Sequence, residues 1–156
     1  MATLNKQTCP TCGQSTNERE IALFSGMIPP LLRVLQWCEQ HNTNEFEYKN
    51  IKHLFGTDNN VHTRFHDWIH FGGILYKRDV DGKTKGHYGM NMERARSFFA
   101  GRLSIVTRVW KNPLTGEYRK DEDSYRILHQ IPHVSAFLNE NMDYIVRYQD
   151  AQSKLF

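Results

Sequence analysis

The sequence predicts a mixed α+β chain centred on two short helices that run into a twisted hairpin, within residues 46–92. Three observations predict it. Val61, Phe65, Trp68 and Ile69 recur at offsets of four, seven and eight residues, which lines one side of a helix with apolar groups and marks that side as core. Gly72-Gly73 follows where such a helix has to stop. Beyond it, Ile74–Arg78 and Gly86–Asn91 are β-prone runs on either side of Asp81-Gly82-Lys83, the turn chemistry of a tight hairpin.

In chain order, residues 1–27 are polar and read as a tail carrying Cys9-Pro10-Thr11-Cys12-Gly13. Two thiolates in Cys-x-x-Cys spacing, stiffened by proline and followed by a glycine that lets the backbone wrap, supply half of a tetrahedral zinc site. A redox pair would instead follow a strand, at a helix N-terminus that stabilises the thiolate. Free thiols on a loose tail are the third reading. The motif resembles the knuckle of zinc-ribbon proteins, without the second Cys-x-x-Cys of a ribbon. The best remaining donors are Cys38 and His41, three apart on one helical face. They would complete one structural Zn2+ site of Cys9, Cys12, Cys38 and His41. Cys38 equally continues the apolar row Ile28, Leu31, Leu35 as a core residue.

Pro29-Pro30 starts a helix that runs to His41, because proline suits a first turn. Phe46–Phe55 is an amphipathic segment ending at Gly56 and fits the helix that precedes a reading helix. Asp58 caps the next one, residues 58–70. At about 100° per residue its open side carries Asn59, Asn60, Thr63, His66, Asp67 and His70, with Arg64 at the edge. His62, His66 and His70 repeat every four residues, so adjacent pairs could chelate a metal beside Asp67. The Glu of His-Glu-x-x-His is missing, and solvated or DNA-facing histidines are the plainer reading.

Asn91 caps a helix over Met92–Ala100, closed by Gly101. Leu103–Trp110 is β-rich, Asn112–Gly116 turns it into Glu117–Lys120, and residues 124–129 give a further short strand. Trp110 and Tyr118, near Arg108 and Arg119, could stack on bases, although aromatics in a small sheet more often belong to the core. Pro132 opens a terminal helix bearing Val134, Phe137, Leu138, Ile145 and Tyr148. That helix packs on the core or on a second copy, which would make a homodimer.

The helix, helix and hairpin order from Ile28 to Asn91 resembles the winged-helix superfamily of helix-turn-helix proteins. The chain is then expected in three parts: a tail with a zinc knuckle (1–27), a winged-helix domain (28–92), and a helix, an added β-hairpin and a C-terminal helix packed on it (93–156). The resemblance implies duplex DNA as the partner, with the reading helix in the major groove. Asn59, Asn60, Thr63, Arg64, His66 and His70 would face the bases. Lys77, Arg78, Lys83 and Lys85 on the wing, with Arg94 and Arg96 behind it, would hold phosphates. Winged helices also dock proteins, so an inhibitor or assembly factor of a nucleoprotein complex is the alternative.

The net charge of +3 hides an asymmetry. Residues 94–120 carry seven bases against Glu117 alone, whereas residues 121–156 carry six acids against three bases. A basic block beside a reading helix suits phosphate contact through counterion release, or it is a solvated surface. A Gly-x-x-x-x-Gly-Lys phosphate loop and a Gly-x-Ser-x-Gly elbow are both absent, which favours a binding protein over an enzyme. A metal-dependent enzyme using the histidine row stays as a third possibility. No apolar run is long enough for a membrane span and the N-terminus lacks an apolar signal region. The expected location is the cytoplasm, that of a host cell if the protein is phage-borne, with a role in regulating transcription or replication.

Overall fold

A computed structural model describes residues 18–155, and of residues 151–155 the helical backbone alone. The chain enters through β1 (Arg19–Ala22), makes a 3-10 turn at Ser25–Met27 and winds α1 (Ile28–Gln40). Prolines at the first positions of α1 cost nothing, because those amides lack helical partners anyway. Its row of Ile28, Leu31, Leu35 and Cys38 is fully buried.

β2 (Glu45–Glu47), α2 (Tyr48–Ile51) and a 3-10 turn at Lys52–Phe55 follow. The single helix expected over residues 46–55 is therefore split. Phe46, 2 % exposed, is buried as a strand residue opposite Tyr88, and the Glu47 amide donates to Asn50 Oδ1 at 3.0 Å to restart the chain as a helix.

α3 (Asn59–Arg64) begins at Asp58, whose Oδ1 accepts from the amides of Asn60 at 2.9 Å and Val61 at 3.4 Å. After Arg64 the helix tightens into 3-10 winding over Phe65–His70. Residues three apart eclipse in that winding, at about three residues per turn. Phe65 and Trp68 thus align inward, while Arg64, Asp67 and His70 form a column at the edge of the core. Two expectations from the α-helical period fail for this reason. Asp67 is 5 % exposed rather than open, and Ile69 is only partly buried.

β3 (Leu75–Lys77) and β4 (His87–Met90) form the hairpin, with β2 on the other side of β4, giving an antiparallel sheet of order β2-β4-β3. Asp81 and Gly82 at its tip have φ of 53° and 79°, and Val80 pairs with Lys83 across them. Positive φ at both central residues matches the right-handed twist of the arms. Tyr76 stands opposite Gly89, where an added Cβ would fall 2.2 Å from the tyrosine Cζ. The ring lies across bare backbone.

α4 (Met92–Phe99) is capped by Asn91, which accepts from the Arg94 amide at 3.1 Å. β5 (Ile105–Val106), β6 (Arg108–Lys111), β7 (Tyr118–Lys120) and β8 (Tyr125–Arg126) complete the strands. β6 and β7 are the expected second hairpin, but β6 also pairs with β1 in a sheet of order β1-β6-β7. The end of the segment expected as a tail is thus built into the fold. The C-terminal helix is two helices, α5 (Ser135–Glu140) and α6 (Met142–Leu155), parted at Asn141, whose side-chain amide donates to the Phe137 carbonyl at 2.9 Å. One apolar cluster runs from Ile21 to Tyr148, so residues 28–92 and 93–156 share a core. Among the described residues no helix is long and apolar enough to cross a membrane.

Gly72 joins the 3-10 turn to β3 with φ of +75°, and a Cβ there would meet Ile105 Cγ2 at 2.2 Å. Gly116, with φ of +74°, has no atom within 4 Å of that position. Replacing Gly116 by Ala is expected to cost about 1–2 kcal/mol of left-handed strain. Gly72→Ala adds about 1–3 kcal/mol of overpacking, so its urea midpoint should fall clearly further, and equal losses would refute the close approach.

Candidate nucleic-acid interface

Four of the expected base-facing side chains form an open edge. Asn59, Asn60 and Thr63 on α3 and His66 just after it are exposed. Thr63 Oγ1 donates to the Asn59 carbonyl at 2.9 Å, which holds the hydroxyl against the helix. On the β3–β4 hairpin, Lys77, Lys83 and Lys85 are exposed, and none has an ion-pair partner among the described residues.

The other expected contacts are engaged within the fold. Arg64 bonds Asp67 through Nε, donates from Nη2 to the Ala22 carbonyl at 3.0 Å, and lies 5.5 Å from the centre of the Phe24 ring. Asp67 also stands 3.2 Å from His66 Nε2. Arg78 donates to the Tyr88 carbonyl at 2.6 Å, to Glu45 at 2.9 Å and to the Phe46 carbonyl at 3.4 Å, clipping β2 to β4. Arg94 Nε donates to the Gly72 carbonyl at 2.6 Å. Arg96 pairs with Glu39 at 3.0 Å, and the other oxygen of Glu39 accepts from Tyr148 at 2.9 Å.

The histidine row does not converge. His62 has Nδ1 on the Tyr48 hydroxyl and Nε2 at 2.8 Å from the Gly56 carbonyl, while His70 stacks on Tyr118 at 4.1 Å between ring centres. Among the described residues no group of three or more His, Cys, Asp or Glu could hold a metal. Cys9 and Cys12 lie outside the described residues. Of their expected partners, Cys38 is buried in the core and His41 Nδ1 lies 2.8 Å from the Trp37 carbonyl. Burial, with the neighbouring Glu39, pushes the Cys38 thiol up to about 11.

On the second sheet, Trp110 lies between Arg108 and Arg119, whose guanidinium carbons are 6.0 and 5.8 Å from its ring centre. Both arginines are paired, Arg108 with Glu20 at 3.7 Å and Asp121 at 3.5 Å, and Arg119 with Glu18 at 2.9 Å. The basic block is thus partly balanced by acids from β1 and the segment after β7. Lys120, Ser104 and Tyr125 were not picked out by the sequence as site residues, yet they line a hollow together with His70 and Arg94. The available signal was strand register, which sets Lys120 opposite Val109 and on the same side as Tyr118.

Burial pushes His70 below the ordinary imidazole range, His66, Lys77 and Lys111 push the same way, and Asp67 opposes them. A folded-state value below the unfolded one means that the unfolded chain binds more protons. Stability from this group is therefore full above the ordinary value of about 6.5 and is lost as pH falls through the depressed one. His70→Phe, which keeps a ring against Tyr118, should lose less stability between pH 7.5 and 5 than the parent. Parallel pH profiles of the urea midpoints would contradict this. Compared with protein-family models, with curated proteins and with solved structures, the chain matches none of them.

Proposed function

We propose that this chain binds duplex DNA through a winged helix spanning residues 28–92, as a regulator of transcription or replication. The observation that carries the reading is the open edge of Asn59, Asn60, Thr63 and His66 together with the exposed hairpin lysines Lys77, Lys83 and Lys85, which have no ion-pair partner among the described residues. The element order supports it: α1, β2, α2, α3 and then the β3–β4 hairpin, with the short first strand beside the returning one. Asn and Thr at the start of a reading helix suit base edges in the major groove, and exposed lysines suit phosphates. The burial of Asp67 against Arg64 supports it as well, because it removes a carboxylate that would repel DNA from that face.

Asp79 and Asp81 at the exposed wing tip favour a second reading, a docking module that inhibits or assembles a nucleoprotein complex. Met142 and Val146, exposed four residues apart on α6, support a homodimer in either case. The Cys9 and Cys12 pair supports one structural zinc, with Cys38 and His41 as the proposed further donors.

Exchanging Lys83 and Lys85 together for Gln should weaken binding to all duplex sequences alike and lower the slope of log affinity against log salt by about 2. Gel shifts on random duplex at two salt concentrations read this directly. Unchanged affinity and slope would leave the docking reading, which predicts a protein partner retained on the immobilised chain after nuclease treatment. Elemental analysis should find one zinc per chain, lost in Cys9→Ser and in Cys38→Ala. Zinc kept in Cys38→Ala would remove Cys38 from the ligand set.

A further inference from the structure

We propose that the hollow between the Phe65–His70 turn and strands β5, β7 and β8 binds a phosphoryl group, held by Arg94, Lys120 and His70 with the hydroxyls of Ser104 and Tyr125 as further donors. The hollow measures about 390 Å³, and its lining combines two permanent cations and an imidazole with no carboxylate. Hollows elsewhere are less suited to an anion. Those that hold Asp121 and Asp123, Glu39, or Glu140 set a carboxylate beside their cations, and the one under the end of α1 has Arg33 as its sole permanent cation.

The parts are positioned by the fold. Arg94 is fixed through its Nε bond to Gly72 at 2.6 Å, and its two terminal nitrogens have no partner among the described residues. A guanidinium so held offers a planar fork that matches two phosphate oxygens. Lys120 is exposed and likewise unpaired among the described residues. The register that buries Val109 sets Lys120 on the side of β7 that carries Tyr118, and the Tyr118 ring rests on His70. Gly72 and Gly73 contribute to the lining without side chains, leaving it uncrowded. Asp67, the acid that acts on His70, is already bonded to Arg64, while Lys77 and Lys111 add positive potential at His70.

The proposal rests on the duplex reading only for the source of the phosphate. That source is either the DNA backbone flanking the bases met by Asn59 and Asn60, or a free phosphate-bearing small molecule.

The test follows the His70 imidazole signal by NMR while the full chain is titrated with inorganic phosphate, against sodium chloride at matched ionic strength. A saturable shift with phosphate alone is expected, weakened about tenfold or more in Lys120→Gln, which alters an exposed side chain and leaves the fold intact. Arg94→Gln should act in the same direction. A short duplex that displaces the phosphate identifies the backbone as the source. Phosphate binding that duplex does not displace keeps the hollow and assigns it to a free phosphate compound, while the duplex reading is judged separately by the wing lysines. No saturable shift, an equal shift with chloride, or an unchanged Lys120→Gln overturns the proposal.

Discussion

The indole of Trp68 is the joint on which the rest of the fold turns. It is fully buried, its Nε1 donates to the Met27 carbonyl at 3.2 Å, and its ring meets Phe71 and Phe98 edge-on at 5.8 and 5.9 Å. One side chain thus fixes the Asn59–His70 segment against the turn before α1 and against α4. A smaller apolar residue would leave a cavity and remove the bond that ties the two segments. With that joint loosened, the open edge of α3 would have no set direction relative to α1 and α4.

Much of this plan could be read from residue order alone, because it depends on local chemistry. The Asp58 and Asn91 caps, the proline start of α1 and the Asp81-Gly82 tip each act within a few residues of themselves. What could not be read depends on distant partners. Residues 19–22 look like a polar tail until β6 offers them an edge, and Phe46 looks helical until Tyr88 stands opposite. The site was legible in the same proportion. Asn59, Asn60, Thr63 and His66 lie in or next to the α-helical turns and are exposed as that period implies. Past Arg64 the winding changes, so Asp67 and Ile69 exchange the environments expected of them, and no propensity in Phe65–His70 announces it.

The cations divide by type. Arg64, Arg78 and Arg94 each donate to a main-chain carbonyl of another segment, whereas Lys77, Lys83, Lys85 and Lys120 remain in solvent. Guanidinium carries five donors in a rigid plane and is weakly hydrated, so it can be drawn into the structure and still satisfy its neighbours. Ammonium groups are compact and strongly hydrated, and they stay at the surface on flexible stems. Lysine is therefore the chief source of mobile positive charge on the β3–β4 hairpin.

The aromatic ring laid over bare backbone in the β2-β4-β3 sheet ties positions 76 and 89 together. A side chain at 89 would have to swing the tyrosine ring at 76 aside, and a small residue at 76 would uncover main chain that the ring now shields. What one of these places tolerates therefore depends on the other, with bulk at 89 easiest to accept where 76 is small, although they stand thirteen residues apart.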